Sequence, residues 1–244
     1  MKKVINFSEE PLGPYSEKQI KKNFDDAKIV TTSVGPEIVM EGNKKVLMLP
    51  FKKGKFGRGD KASWHMELKE SYEEIYCEYK VKFSEGFDWK LGGKLPGFGG
   101  GSKPGGGKHS EKGFTSRIMW RENGEMHNYV YFPKDESTYG TGFWWHDLRT
   151  DKMERLKFRP GKWHTIRMKI RMHNNWEDPG YLVCWLDGKL ALRQDIMLRP
   201  KKTKEYGIES FMFTVFFGGN DESFAPKKDC KIYFEDIIIS DKEI

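Results

Sequence analysis

The sequence predicts an all-β protein, a sandwich of antiparallel sheets or a jelly roll. Three observations carry that expectation. Residues alternate with period two wherever a pattern is visible, Gly- and Asp-containing turns recur at short spacing, and only the segment near Ser16 to Lys28 looks helical, weakly. In Ile75-Tyr76-Cys77-Glu78-Tyr79-Lys80-Val81-Lys82-Phe83 the odd positions are apolar and the even ones mostly charged, as a half-buried strand requires. His164, Ile166, Met168, Ile170 and Met172 alternate with Thr165, Arg167, Lys169 and Arg171 in the same way. Further strands are expected over 181–187, 189–196, 211–217 and 231–239. Asp187-Gly188 joins the first two of these, and Asp-Gly between alternating runs is a strong hairpin signal. No repeat and no break in composition divides the 244 residues. One domain, 1–244, is therefore expected, with 1–35 packing on the sandwich as an N-terminal extension.

Composition narrows the function classes. Hydrophobic residues at 37% and aromatics at 14% suffice for a packed core, which excludes global disorder. Lys and Arg number 43 against 36 Asp and Glu, a net charge of +7. That balance suits nucleic acid, an anionic membrane surface, an acidic polymer, or simply a solvated exterior. No recognition helix, zinc spacing or RNP-like strand speaks for nucleic acid. No apolar run approaches a membrane span, and the first residues lack the apolar core of a secretion signal. The compartment stays open among a viral protein, a cytosolic one and a processed secreted one. Cys77, Cys184 and Cys230 form no CxxC pair and are expected as reduced, buried thiols. Six scattered histidines without HExxH spacing argue against a metal, and no cofactor is expected. The expected partner is an acidic polysaccharide, bound by a monomer.

From Gly92 to Gly113 ten glycines sit among lysines and prolines. A phosphate-binding loop would need Ser or Thr after its Gly-Lys; here Gly107-Lys108 precedes His109 and Gly93-Lys94 precedes Leu95. The stretch is expected as a mobile flap, or as backbone lying close against a ligand. It leads into a hairpin, Thr115 to Arg121 and Glu125 to Tyr131, around Glu122-Asn123-Gly124. A two-residue Asn-Gly loop would pair Arg117 with Val130. A three-residue loop ending in a left-handed Gly124 pairs Arg117 with Tyr129 and Thr115 with Tyr131. The second is preferred, because Trp120, Met126 and Val130 then share the core side, at the cost of turning Asn128 inward. The opposite face then gathers Thr115, Arg117, Arg121, His127, Tyr129 and Tyr131. Guanidinium groups hold carboxylates bidentately and aromatic rings pack on sugar faces, so this face suits a chain of acidic sugars.

Gly92-Gly93-Lys94-Leu95-Pro96-Gly97, Thr115 to Arg121, and Tyr129-Val130-Tyr131 resemble polysaccharide lyase family 14, which includes algal-virus and molluscan lyases of alginate and polyglucuronate. Phe216 to Asp221 followed by Ala225-Pro226 is similar to the family's closing segment, and the resemblance spans about Glu73 to Ile239. It implies a jelly roll whose concave sheet cleaves a polyuronate by β-elimination. The family's active-site lysine falls on Lys94, its arginine on Arg117 and its two tyrosines on Tyr129 and Tyr131. Where relatives carry a serine two residues before the arginine, this chain has Thr115, which keeps the hydroxyl and adds a methyl.

The chemistry asks for the same residue types. Removing the C5 proton of a uronate builds an enolate-like dianion, so cations must neutralise the carboxylate. Arg117 and Lys94 suit this, with Arg121 as auxiliary. Proton transfer falls to Tyr131 or Tyr129, with Lys94 sharing it or holding charge. His127 joins the binding face. Trp144, after a Gly-rich turn, is expected either as a sugar-stacking platform or as core, and Asn220 either borders the cleft or makes a turn. Arg167, Lys169 and Arg171 line the groove or face solvent. Two rival functions differ in what they need. A hydrolase on such a sandwich needs two carboxylates flanking the bond, and no ExDxxE strand occurs. A non-catalytic carbohydrate-binding module would use the arginines and aromatics without needing Lys94 and paired tyrosines.

Overall fold

Alternating runs pair into two antiparallel sheets that enclose one apolar core. The computed structural model describes residues 1–133, 135–150, 153–173, 178–200, 205–219 and 221–244, without the Arg58 side chain. In chain order the elements are β1 (Lys2–Ile5), β2 (Gly13–Pro14), α1 (Glu17–Asn23), β3 (Lys28–Thr32), β4 (Glu37–Glu41), β5 (Lys44–Phe51), β6 (Ala62–Tyr72), β7 (Glu74–Phe83), β8 (Gly93–Gly101), β9 (Gly113–Trp120), β10 (Met126–Tyr131), β11 (Thr141–Trp144), β12 (Trp163–Arg171), β13 (Tyr181–Leu186), β14 (Lys189–Asp195), β15 (Ile208–Phe217) and β16 (Cys230–Ser240). The larger sheet runs β14-β13-β12-β7-β16-β5-β4-β2, with β1 also on β16; the smaller runs β11-β10-β9-β8-β15-β6-β3. This is the all-β architecture expected from the alternation, in the jelly-roll form that the family resemblance implies.

Each strand of the smaller sheet splits its residues between two faces, as the pleat dictates. Trp64, Phe98, Ile118, Trp120 and Phe213 turn inward, where Trp64 and Phe213 stack at 4.2 Å and Phe234, with Tyr79 beside it, meets Phe213 from the larger sheet. Ser63, His65, Arg117, His127, Tyr129 and Met212, the alternate positions, lie on the other face. Ser16 caps α1 through a reciprocal capping box with Gln19, and the helix buries Ile20. Within 1–35, Phe7, Tyr15, Phe24 and Ala27 enter the core, β1 pairs with β16, and β3 edges the smaller sheet. Asp187 and Gly188 both take left-handed φ, 51° and 77°, in the turn that joins β13 to β14. All three cysteines are free and buried. No helix among the described residues is long and apolar enough to cross a membrane.

The glycine-rich stretch departs from its expectation. Gly93 to Gly101 is a central strand, β8, between β9 and β15, and only 102–112 loops out. Close packing explains the composition: a Cβ on Gly97 would strike the Ser116 carbonyl, and one on Gly100 the Gly207 carbonyl. The strand needs glycine for approach rather than for mobility.

Candidate active site

Register decides which side chains meet. In the β9–β10 hairpin Met126 pairs with Trp120, Tyr129 with Arg117 and Tyr131 with Thr115, so the three-residue loop is the one formed. Asn123 and Gly124 supply its left-handed turn, with φ of 59° and 77°. Asn128, turned into the core, is fully satisfied there. It accepts from Trp145 Nε1 at 2.8 Å and Cys184 Sγ at 3.1 Å, and donates to Ser116 Oγ at 3.2 Å. Facing the other way, His127, Tyr129 and Tyr131 stand beside Met119, Arg117 and Thr115, and β8 adds Lys94 opposite Met119.

The structure therefore brings Lys94, Arg117, Tyr129 and Tyr131 onto one face. Lys94 Nζ lies 4.9 Å from the centre of the Tyr129 ring and 5.0 Å from that of Phe216. The two phenol oxygens are 3.2 Å apart. Tyr129 also accepts the Gly140 N–H at 3.1 Å, and Tyr131 the Gly107 N–H at 2.9 Å. These backbone donors escaped sequence reading, because turn conformation rather than residue type aims them; the two glycine-rich turns were their only signal.

Electrostatics sets this face apart from the rest of the protein. Among the described residues no carboxylate lies within ion-pair distance of Lys94, Arg117 or Arg121. Arg117 is only 7% exposed, and its Nε has no hydrogen-bond partner among the described residues. Cations of the larger sheet behave differently: Arg167 pairs with Glu78, Lys169 with Glu74 and Arg171 with Asp178. That stripe, on the other sheet, does not line the site. A buried cation left unpaired is costly, and the natural remedy is an anionic ligand.

Burial pushes the Lys94 ammonium down to about 7, and the neighbouring Arg117 and Arg121 charges push the same way. Burial raises the Tyr129 phenol well above its ordinary range, its Tyr131 hydrogen bond adding to this while the Gly140 N–H and Arg117 oppose it. Burial also depresses the His127 imidazole to about 3, with Arg121, Lys94 and Arg155 reinforcing the effect. The site thus holds an amine that sheds its proton near neutrality beside a phenol that keeps its own.

The loop 102–112 lies along one side. Its Pro104 carbonyl accepts the Thr115 hydroxyl at 2.9 Å, its Gly107 caps Tyr131, and the His109 ring sits 5.2 Å from that of Tyr131. Tyr131 and Thr115 are sealed beneath it, while Tyr129 is half-buried. The expectation for Thr115 therefore changes: its hydroxyl anchors the loop and does not face the open site. On the other side His127 stacks on Tyr129 at 5.9 Å, and Trp144 packs 4.9 Å from His127 with the Arg155 guanidinium 3.8 Å from its ring. Trp144 is on the site face, whereas Trp145 is core. Asn220 lies outside the described residues. Among those residues no group of three His, Cys, Asp or Glu is placed to hold a metal.

The family model for polysaccharide lyase 14 matches residues 40–237. No curated protein matches the chain in sequence. Among solved structures it is similar to alginate lyase Aly36B bound to an alginate trisaccharide, with a TM-score of 0.84 and 20% identity over 99% of this chain and 98% of that one. The marine alginate lyase from Aplysia kurodai gives 0.80 and 21% over 98% of both chains. Alginate lyase vAL-1 from Chlorella virus gives 0.69 and 21% over 85% of this chain and 89% of that one. These likenesses establish a common fold, and the family match covers most of the sequence. With its lysine, arginine and paired tyrosines on one sheet face, the chain belongs to polysaccharide lyase family 14.

Proposed function

We propose that the protein cleaves an anionic polyuronate, alginate or β-1,4-glucuronan, by β-elimination. One observation carries the reading: Lys94 and Arg117, basic groups with no carboxylate partner among the described residues, share a sheet face with two phenols in hydrogen-bond contact. The alginate lyases to which the chain is similar support the same substrate class.

In this mechanism Arg117, with Arg121 as auxiliary, receives the carboxylate of the sugar to be cleaved and offsets the charge that builds there. The Lys94 amine, free at neutral pH, takes the C5 proton. The released electron pair moves into the carboxylate, returns as a C4–C5 double bond, and expels the glycosidic oxygen from C4. Tyr129, the half-open phenol, gives that oxygen its proton. Tyr131 holds Tyr129 from beneath the loop, and Thr115 holds the loop. Lys94 then loses a proton to solvent and Tyr129 regains one. His127 and Trp144 contact a neighbouring sugar, and Asn220 stays a substrate-binding candidate. Every one of these groups comes from one chain, so a monomer carries the complete set.

A non-catalytic binding module would use the arginines and aromatics without needing a lysine beside paired tyrosines. Here Lys94 Nζ lies against the Tyr129 ring and the two phenols are in hydrogen-bond contact, the set that elimination needs. Incubation with polymannuronate, polyguluronate and glucuronan, followed by the ultraviolet absorbance of an unsaturated uronate, tests the reading. Absorbance should rise on at least one polymer; binding without any rise, across neutral and alkaline pH, would leave only the module.

A further inference from the structure

The row of side chains that includes Tyr129 and Arg117 continues across the smaller sheet. Tyr129 pairs with Arg117, Arg117 with Gly97, Gly97 with Met212 and Met212 with His65, so all five positions lie on one face. Three strand spacings, about 14 Å, separate Arg117 from His65. Between them Gly97 carries no side chain, which leaves the floor low. The loop 102–112 runs along one flank, tied to β6 by Lys103 and Glu67 at 2.7 Å.

At the far end of this row the chemistry changes. Ser63 and Thr214, paired across β6 and β15, join hydroxyls at 3.1 Å. His65 is 8% exposed, and its Nδ1 is sealed from solvent without a hydrogen-bond partner among the described residues. Ser210 Oγ, on the same face, is buried and unpartnered as well. Leaving a buried polar atom unmatched costs about 1–3 kcal/mol, and folded proteins rarely tolerate it without a use. Burial lowers the imidazole to about 4, with Lys103 next in effect, so the ring is neutral at physiological pH. Glu67, the carboxylate on this part of the face, is engaged by Lys103. The end of the row thus offers uncharged donors and acceptors, in contrast to the unpaired cations at Arg117.

We propose that Ser63, His65 and Thr214 form a neutral subsite that hydrogen-bonds the hydroxyl groups of a sugar unit beyond the ring held by Arg117. This rests on the lyase reading, to which it adds a dependence on chain length. Substrates long enough to reach His65 bind through it, and shorter ones do not.

The experiment compares wild type, His65→Ala and the double variant Ser63→Ala/Thr214→Val on oligouronates of increasing length, taken from the polymer that wild type cleaves. Both variants should lose about tenfold in kcat/KM on long chains, through KM, and nothing on the shortest chain that is cleaved. A uniform loss across lengths, or no loss at any length, overturns the subsite; thermal melting confirms that the variants fold. Calorimetry with uncut chain and Lys94→Ala enzyme reads the subsite without turnover. Adding His65→Ala to that background should weaken binding about tenfold, and unchanged binding overturns the proposal. Wild type that yields no unsaturated ends would instead refute the lyase reading alone, since the calorimetric comparison stands apart from it.

Discussion

Lys94 stands where an ammonium is poorly solvated and where two guanidinium groups oppose its charge. Burial holds it down to about 7, and in the proposed mechanism the deprotonated amine is the active form. kcat/KM should therefore rise as pH increases through about 7, and stay high until a phenol held above its usual range ionises. A pH–rate profile checks this; a rate that falls from pH 6 to pH 8 would reverse the assignment of Lys94 as base. The tyrosines differ in the same physical terms. Tyr129 is half open and faces Lys94, whereas Tyr131 is covered by the loop. Tyr129→Phe should cost ~10²–10⁴ in kcat, the loss of a general acid. Tyr131→Phe removes the hydrogen bonds to Tyr129 and to the Gly107 N–H and should cost about tenfold. Equal losses, measured on one polymer at saturation, would mean that the two phenols share the proton. Arg117→Lys keeps the charge but loses the bidentate fork, and a drop of ~10²–10³ is expected.

The β9–β10 hairpin shows how far sequence reading reaches at the scale of an element. Its register was legible, because a three-residue loop alone puts Trp120, Met126 and Val130 on one side, and the apolar face then settles the pairing. The role of Asn128 was not, since its partners Trp145 and Cys184 come from segments distant in sequence. Asn128→Leu should leave Trp145 Nε1 without its acceptor and cost ~1–3 kcal/mol in a urea titration; a change below half a kcal/mol would show the network to be incidental. β8 was hidden for a different reason. Its glycines imitate loop composition, yet they are there because neighbouring carbonyls leave no room for a Cβ. β6 carried a readable alternation, Ser63-Trp64-His65-Met66-Glu67, but without a turn signal that marks it as part of the site. The loop contacts that bury Thr115 and Tyr131 depend on backbone conformation, which residue types alone do not specify.

Across the whole molecule charge is segregated by sheet. Cations such as Arg167, Lys169 and Arg171 on the larger sheet are neutralised by carboxylates, and those at the centre of the smaller sheet are left for a ligand. The same face buries two neutral imidazoles, His65 at about 4 and His127 at about 3. An unfolded histidine binds its proton below about 6.5, where the folded protein still excludes it. Stability is therefore complete above pH 6.5 and falls as pH drops toward 4, by about 5 kcal/mol between pH 7 and pH 4.5 for the two sites together. Urea unfolding at those two pH values checks this, and equal stabilities would place both rings in water. The central claim is that unpaired cations and paired phenols on one sheet face break a uronate linkage without adding water. Mass spectrometry of the products tests it most directly. Fragments should sum to the mass of the parent chain and carry an unsaturated end, and Lys94→Ala should abolish them; fragments heavier by one water, or an unsaturated product undiminished in Lys94→Ala, would contradict it.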